Sequence, residues 1–168
     1  TFDHEPIYLP GQEPDQAEVA RRIETFWTPY HETIASEIDR LRQQHDKVLL
    51  WDGHSIRSEV PRFFDARLPD FNLGTGDGIA AAPELAEAVL ASAEAENAYT
   101  TAYNGRFKGG YITRNFANPT NSVHAIQLEL SQITYMEETL PFRYLPEAAA
   151  QVSGAIERMV RTACDWIT

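Results

Sequence analysis

The chain has 168 residues, 43% of them hydrophobic, and a formal net charge of −11 at pH 7. This length predicts one domain, and the acidity argues against general nucleic-acid binding, which needs Lys and Arg to neutralise phosphates. No stretch approaches the roughly 20 apolar residues that cross a bilayer, and residues 1–16 lack the features of a signal peptide, so no membrane partner is expected.

The first predicted element is a helix over residues 15–44, because apolar residues recur every three or four positions from Val19 to Leu41. Asp15 is the expected N-cap. Pro29 is expected to kink or divide this helix because it lacks a backbone N–H. The segment KVLLWDGHS at 47–55 then predicts a strand buried on both faces of a sheet, because its apolar run does not alternate.

The later elements alternate between helices and strands. A loop rich in Pro and Gly leads to a predicted helix over 83–96, and the last helix is predicted over 145–167, with the single cysteine, Cys164, on its apolar face. Strands are predicted over 98–103 and 122–132. This order indicates a layered α/β fold in one domain over residues 1–168, and one lone cysteine fits a cytoplasmic protein.

Two side chains stand out as candidates for chemistry. His54 directly follows the predicted buried strand, where α/β proteins place ligands and catalytic groups, and Asp52 is a candidate to orient its ring. Glu129 lies within an otherwise apolar strand, where burial should raise its pKa toward the range useful for acid–base catalysis. The alternatives are a loop histidine bonded to a neighbour and a glutamate paired with a Lys or Arg.

Basic residues are concentrated in the middle of this acidic chain. The loop NGRFKGGYITR at 104–114 has three glycines that permit close backbone approach, and its cations can bind carboxylates. It lacks the phosphate-loop patterns and does not clearly enter a helix. An anionic small substrate is the functional interpretation, and a basic surface turn is the alternative. The basic residues concerned are Arg57, Arg62, Arg67, Arg106, Lys108 and Arg114.

Long runs of the sequence resemble the N-formylglutamate amidohydrolase (deformylase) family. The resemblance is carried by LLWDGHSIRSEVPRFFDARLPDFNLGTGDG, NGRFKGGYITRNF and VHAIQLELSQITYM, and by the opening TFDHEPIYLPGQEP. It implies a three-layer α/β/α fold with a mixed sheet, similar to the zinc carboxypeptidases. It also implies hydrolysis of N-formyl-L-glutamate to formate and glutamate in histidine breakdown.

The resemblance also implies roles for single residues. His54 would be a ligand of one zinc ion, and Glu129 would be the catalytic carboxylate that activates the zinc-bound water and returns its proton to the leaving amine. The candidates for holding the substrate, a small anionic acyl-amino acid, are Arg57, Asn104, Arg106, Lys108 and Arg114.

One part of the family pattern has no match in these residues. The family places its first His and acidic ligands, with an Asn-Arg substrate-binding pair, in an N-terminal segment. The expectation is therefore either the C-terminal portion of such an enzyme, without its N-terminal strands, or a truncated relative without metal activity. Two other functions stay open, namely a related zinc deacylase for another N-acyl amino acid and a metal-free module that binds dicarboxylates.

Overall fold

The computed structural model describes Thr1 and residues 4–168. Its described residues divide into two compact units, Thr1–Asp46 and Lys47–Thr168, and each is considered by itself. The assignment of residues 1–168 to one domain stays a prediction. None of the helices in the described part of the chain is long and apolar enough to span a membrane.

The first unit is a helical segment interrupted just before its proline. Helix α1 spans Gln16–Arg22, a π-helical turn spans Ile23–Trp27, and helix α2 spans Thr28–Arg42. The predicted N-cap is confirmed, because the Asp15 carboxylate accepts a hydrogen bond of 2.8 Å from the Glu18 N–H. The predicted division at Pro29 is also confirmed, since the wider turn immediately precedes the residue that cannot donate to the helix.

The second unit is built on a mixed sheet of four strands within the described residues. The strands are β1 (Val48–Ile56), β2 (Phe71–Gly74), β3 (Thr101–Tyr103) and β4 (Val123–Ser131), in the order β1-β4-β2-β3. β1 runs parallel to β4, β4 runs antiparallel to β2, and β2 runs parallel to β3. The predicted mixed sheet is therefore confirmed.

The two faces of this sheet differ in chemistry. Helix α3 (Pro83–Glu94) and helix α5 (Pro146–Ile167) pack on one face, where the alternate residues of β2 and β4 are apolar. The short helix α4 (Tyr111–Phe116) contacts β1 and β4, and its Thr113 lies on the opposite face, which is polar. The apolar face includes Phe71, Leu73, Ile126, Leu128 and Leu130, with Val89, Val152 and Met159 from the helices.

Three expectations about these elements are wrong. β1 is not buried on both faces, because residues 53–55, whose side chains alternate between the two faces, are exposed. The basic loop does enter a helix, α4, which begins directly after Gly110. Cys164 is exposed, because α5 buries the adjacent stripe of mostly small residues, which lets the helix approach the sheet closely. That stripe is Ala149, Val152, Ala155, Met159 and Ala163.

His124 links β4 to both helices on the apolar face. Its Nδ1 accepts a hydrogen bond of 3.2 Å from the Ala82 N–H, just before α3, and its ring meets Trp166 of α5 edge to face. Lys47 also contacts Trp166, since its ammonium lies over the Trp166 ring, 4.5 Å from the ring centre. Burial first, and the Lys47 charge second, lower the pKa of His124.

We expect the His124→Asn substitution to flatten the dependence of stability on pH. A histidine whose pKa is lower in the folded state contributes stability above its unfolded value, about 6.5, and loses it as the pH falls toward the folded value. Asparagine keeps an acceptor for the Ala82 N–H and has no such titration. Urea unfolding between pH 7.5 and pH 5 measures this, and equal slopes for the two proteins would contradict it.

Candidate functional site

The pairing of β1 with β4 brings the two candidate side chains together. His54 is the register partner of Glu129, and Asp52 is the register partner of Gln127. Register partners on neighbouring strands lie about 5 Å apart and project from the same face, as do residues two apart along a strand. The four side chains therefore form a polar cluster on the face of the sheet that carries α4.

Asp52 holds the imidazole of His54 in one orientation. One Asp52 carboxylate oxygen lies 2.6 Å from Nε2 of His54, and the other accepts a 3.0 Å hydrogen bond from the Thr113 hydroxyl. Asp52 and Thr113 are both buried. The contact between Asp52 and His54 leaves Nδ1 as the ring nitrogen available to another group, which is the arrangement of a histidine ligand oriented by a carboxylate.

Glu129 is a buried carboxyl group without a basic partner among the described residues. Its residue is 7% exposed, and no Lys or Arg of the described chain forms an ion pair with it. Burial raises the pKa of the Glu129 carboxyl, the His54 charge opposes this, and Asp52 adds to it. The predicted direction of the shift is thus confirmed. A raised pKa makes this carboxylate a better proton acceptor than an exposed glutamate, which is the property that a general base needs.

These residues form the floor of an open cleft of about 530 Å³. Its wall is the basic loop, and three of the cations that the sequence singled out line it. A carboxyl, an imidazole and several cations around one space suit an anionic substrate that undergoes proton transfer. The lining residues are His54, Gln127 and Glu129 from the strands, residues 105–110 from the loop, and Arg114 from α4.

Backbone contact with β2 fixes the position of this loop. The Gly76 N–H donates to the Lys108 carbonyl, and a Cβ on Gly74 would overlap Lys108 and lie 2.6 Å from the Gly109 nitrogen. Gly109 has a φ of +107°, which favours glycine. The Gly110 N–H then donates a 2.8 Å hydrogen bond to Oε1 of Gln127. The loop is thus attached to both β2 and β4.

Each lining cation is already held by one contact. Nε of Arg106 donates to the Phe63 carbonyl at 2.8 Å, and its guanidinium lies over the rings of Phe63 and Phe107. Lys108 forms an ion pair of 2.9 Å with Asp77. Nη1 of Arg114 donates to the Gly109 carbonyl. The remaining N–H groups of both arginines have no partner among the described residues, so they can bind an oxyanion.

Two of the predicted substrate-binding residues are not among those that line the cleft. Arg57 is exposed just beyond the end of β1. The amide of Asn104 is occupied, because it accepts from the Thr75 N–H at 2.9 Å and donates to the Thr75 hydroxyl at 3.1 Å. Asn104 therefore holds the turn after β2, and the geometry gives no support to a substrate contact for either residue.

The donor set for a metal ion is incomplete among the described residues. His54 presents one oriented nitrogen, but no three His, Cys, Asp or Glu side chains of Thr1 and residues 4–168 are grouped to hold a metal. Catalytic zinc normally takes three protein ligands. The described residues thus fit one ligand position and do not fit a whole site.

Sequence reasoning did not single out Gln127, Thr113 or Asp77 as parts of the site. The one sequence signal for Gln127 is its spacing, because residues two apart on a strand share a face, which puts it beside Glu129. Thr113 and Asp77 reach the site through contacts with residues 61 and 31 positions away. Such distant pairings leave no local pattern in the sequence.

The comparisons with known proteins agree with one another. The family model for N-formylglutamate amidohydrolase matches residues 1–136. Over 98% of its length the chain is 47% identical to an N-formylglutamate deformylase of Pseudomonas aeruginosa and 45% identical to one of Pseudomonas putida, and it spans 62% of each. The crystal structure of an N-formylglutamate amidohydrolase from Ralstonia eutropha JMP134 superposes with a TM-score of 0.76 at 26% identity, over 90% of this chain and 54% of that one.

We expect the Gly74→Ala substitution to lower the free energy of unfolding by about 1–3 kcal/mol, because the new methyl group overlaps rigid loop backbone. Gly53→Ala is the matched control, since its Cβ would meet only the Trp51 ring, at an ordinary 3.8 Å. Urea unfolding followed by circular dichroism measures both changes. A Gly74→Ala protein as stable as the control would show that the loop does not rest on the strand.

Proposed function

The chain belongs to the N-formylglutamate amidohydrolase family, and from this premise we propose that it forms part of an enzyme that hydrolyses N-formyl-L-glutamate to formate and L-glutamate. The two relatives named as deformylases are longer, and this chain spans 62% of their length. The proposal therefore concerns the whole enzyme, to which the described residues contribute the acid–base carboxyl and the anion-binding wall.

The observation that carries the proposal is the pairing of His54 with Glu129 beneath a wall of three cations. N-formylglutamate has two carboxylates and one amide bond, so its recognition needs cationic donors and its hydrolysis needs a proton carrier. Arg106 and Arg114 have free N–H groups for bidentate contacts with carboxylates. Lys108 adds a point charge beside them.

Glu129 performs the proton transfers in this proposal. Its carboxylate accepts a proton from the attacking water while the water oxygen bonds to the formyl carbon. The same carboxyl then gives that proton to the amide nitrogen as the C–N bond breaks, which releases formate and the free amine of glutamate. The raised pKa of Glu129 suits both steps, because burial makes its carboxylate a better proton acceptor than an exposed one.

A zinc ion is part of the proposal, with Nδ1 of His54 as one ligand and the other ligands outside the residues described here. When bound, zinc supplies Lewis-acid polarisation of the acyl carbonyl and the attacking water. Asp52 supports this role of His54, because it fixes the ring through Nε2 and leaves Nδ1 available. The similarity to zinc carboxypeptidases, the cytoplasmic location and the place in histidine breakdown remain parts of the same proposal.

We expect Glu129→Gln in the full-length protein to lower kcat for formate release by about 10²–10⁴-fold, the usual contribution of a general acid–base group. Glutamine keeps the size of the side chain and cannot accept the proton. Glu137→Gln is the control, since Glu137 pairs with Arg143 and does not line the cleft. Activity of Glu129→Gln within a few-fold of the control would contradict the assigned role.

The choice of acyl group is tested with the wild-type protein. N-formyl-, N-acetyl- and longer N-acyl-L-glutamates are compared by their kcat/KM values, and the formyl compound is expected to be the best substrate. A preference for a longer acyl group would indicate the related deacylase. Binding of glutamate that a chelator leaves unchanged, with no hydrolysis of any substrate, would indicate a dicarboxylate-binding module.

We expect the full-length protein to bind one zinc ion, and His54→Ala to weaken that binding by at least about tenfold, since even loss of a group supporting a ligand costs 10–100-fold. His45→Ala is the control, because His45 is exposed in the first unit. Metal content after dialysis against defined free zinc, measured by mass spectrometry, reports the affinity. Equal zinc content in the two variants would remove His54 from the ligand set.

A further inference from the structure

Gln127 is a buried polar side chain on the floor of the cleft that the mechanism above does not use. It is 4% exposed, it lines the cleft, and it lies two residues before Glu129 on the same face of β4. Its register partner across the sheet is Asp52. Gln127 therefore occupies the position next to the proton-transferring group.

The direction of the Gln127 amide is fixed by the loop. The Gly110 N–H donates to Oε1 at 2.8 Å, and only the oxygen of an amide can accept such a bond. The NH₂ group consequently points away from Gly110. Among the described residues Nε2 has no hydrogen-bond partner, although the two carboxylate oxygens of nearby Asp52 are both engaged, one by His54 and one by Thr113.

This amide donor has no protein partner among the described residues and borders the cleft, so it is open to donate to water or to an oxygen of a ligand. The cations of the wall and this donor border the same space, and the substrate offers only oxygen acceptors to them. Gln127 is neutral, so it can donate to an oxygen without adding to the charge that already surrounds Glu129. Its position beside Glu129 places this donor next to the reacting amide and away from the outer end of the cleft.

We propose that Nε2 of Gln127 donates a hydrogen bond to an oxygen of the bound N-acyl glutamate, and that the Gly110 N–H is the group that aims it. This inference rests on the proposed function, since it takes the acyl-amino acid as the ligand. The contact exists only when the substrate is bound. The loop thus positions a substrate-binding side chain on the strand as well as the cations it carries itself.

The decisive variants are Gln127→Glu and Gln127→Met in the full-length protein. Glutamate keeps an acceptor for the Gly110 N–H and loses the donor, whereas methionine has nearly the same length, no charge and neither function. Both are expected to lower kcat/KM for N-formylglutamate at least about tenfold, the cost of one lost hydrogen bond to an anionic or polarised oxygen. A rise in KM assigns the contact to a carboxylate, and a fall in kcat assigns it to the acyl oxygen.

A purely structural role for Gln127 predicts a different pattern. Gln127→Glu would then keep both its activity and its Gly110 contact, because the acceptor is retained, and only Gln127→Met would lose them. The chemical shift of the Gly110 amide, followed by NMR, reports this contact without reference to activity. Unchanged kcat/KM in either variant overturns the proposal. Gln127→Met adds no charge, so a loss of kcat/KM that both variants share is not caused by the charge of Gln127→Glu.

Failure of the proposed function is distinguishable from failure of this inference. If the wild-type protein hydrolyses no N-acyl glutamate, the proposed function fails, and Gln127 is then judged by calorimetric binding of N-formyl-L-glutamate, which is not consumed and offers both carboxylate and acyl oxygens. Weaker binding to Gln127→Met, by at least about fivefold, supports the donor role, and equal binding overturns it. If the wild-type protein is active and both variants match it, only the inference about Gln127 fails.

Discussion

The site depends on the register with which β1 pairs to β4. In the observed register His54 faces Glu129 and Asp52 faces Gln127. A shift of one residue would turn the polar residues of β1 toward α3 and α5, into a face made of Ile126, Leu128 and Leu130. The difference between the two faces of the sheet therefore favours the register that aligns His54 with Glu129, because a shifted pairing would bury charge in the hydrophobic core.

The second constraint is that the wall of the cleft is held largely by backbone groups. Gly74 allows residues 108–109 to lie directly against β2, and the Gly76 N–H bonds the Lys108 carbonyl. Arg106 and Arg114 are fixed by carbonyl groups that leave other N–H donors free. Such preorganisation lowers the entropy lost when an anion binds, so affinity does not depend on ordering the loop.

Much of the second unit could be predicted from local patterns. The period of two in β4 and the amphipathic period of α5 predicted the bounds of both elements to within one residue. The spacing of Asp52 and His54, two residues apart, predicted that they lie side by side. Helix α4 was missed because it has six residues and begins at a contact between Gly110 and Gln127, 17 positions later. β1 was misjudged because a run of apolar residues does not show how far other elements cover each face of a strand.

A residue of the candidate site could be predicted from sequence where its side chain is unusual for its surroundings. It could not be predicted where the residue type is common in its setting. A glutamate within an apolar strand is conspicuous, so Glu129 could be found from sequence. Asn104 and the loop cations are common residues in a common kind of turn. Only the structure separates Arg106, Lys108 and Arg114, which line the cleft, from Asn104, whose amide is used by Thr75. Those assignments follow from tertiary contacts and have no counterpart in local spacing.

The ion pair between Asp77 and Lys108 gives the cleft a resident counter-ion. Both side chains are at least half exposed, and exposed pairs of this kind contribute only about 0–1 kcal/mol. In the proposed enzyme, a substrate carboxylate would therefore exchange with Asp77 at Lys108 at little free-energy cost, whereas a neutral molecule would leave the ion pair in place.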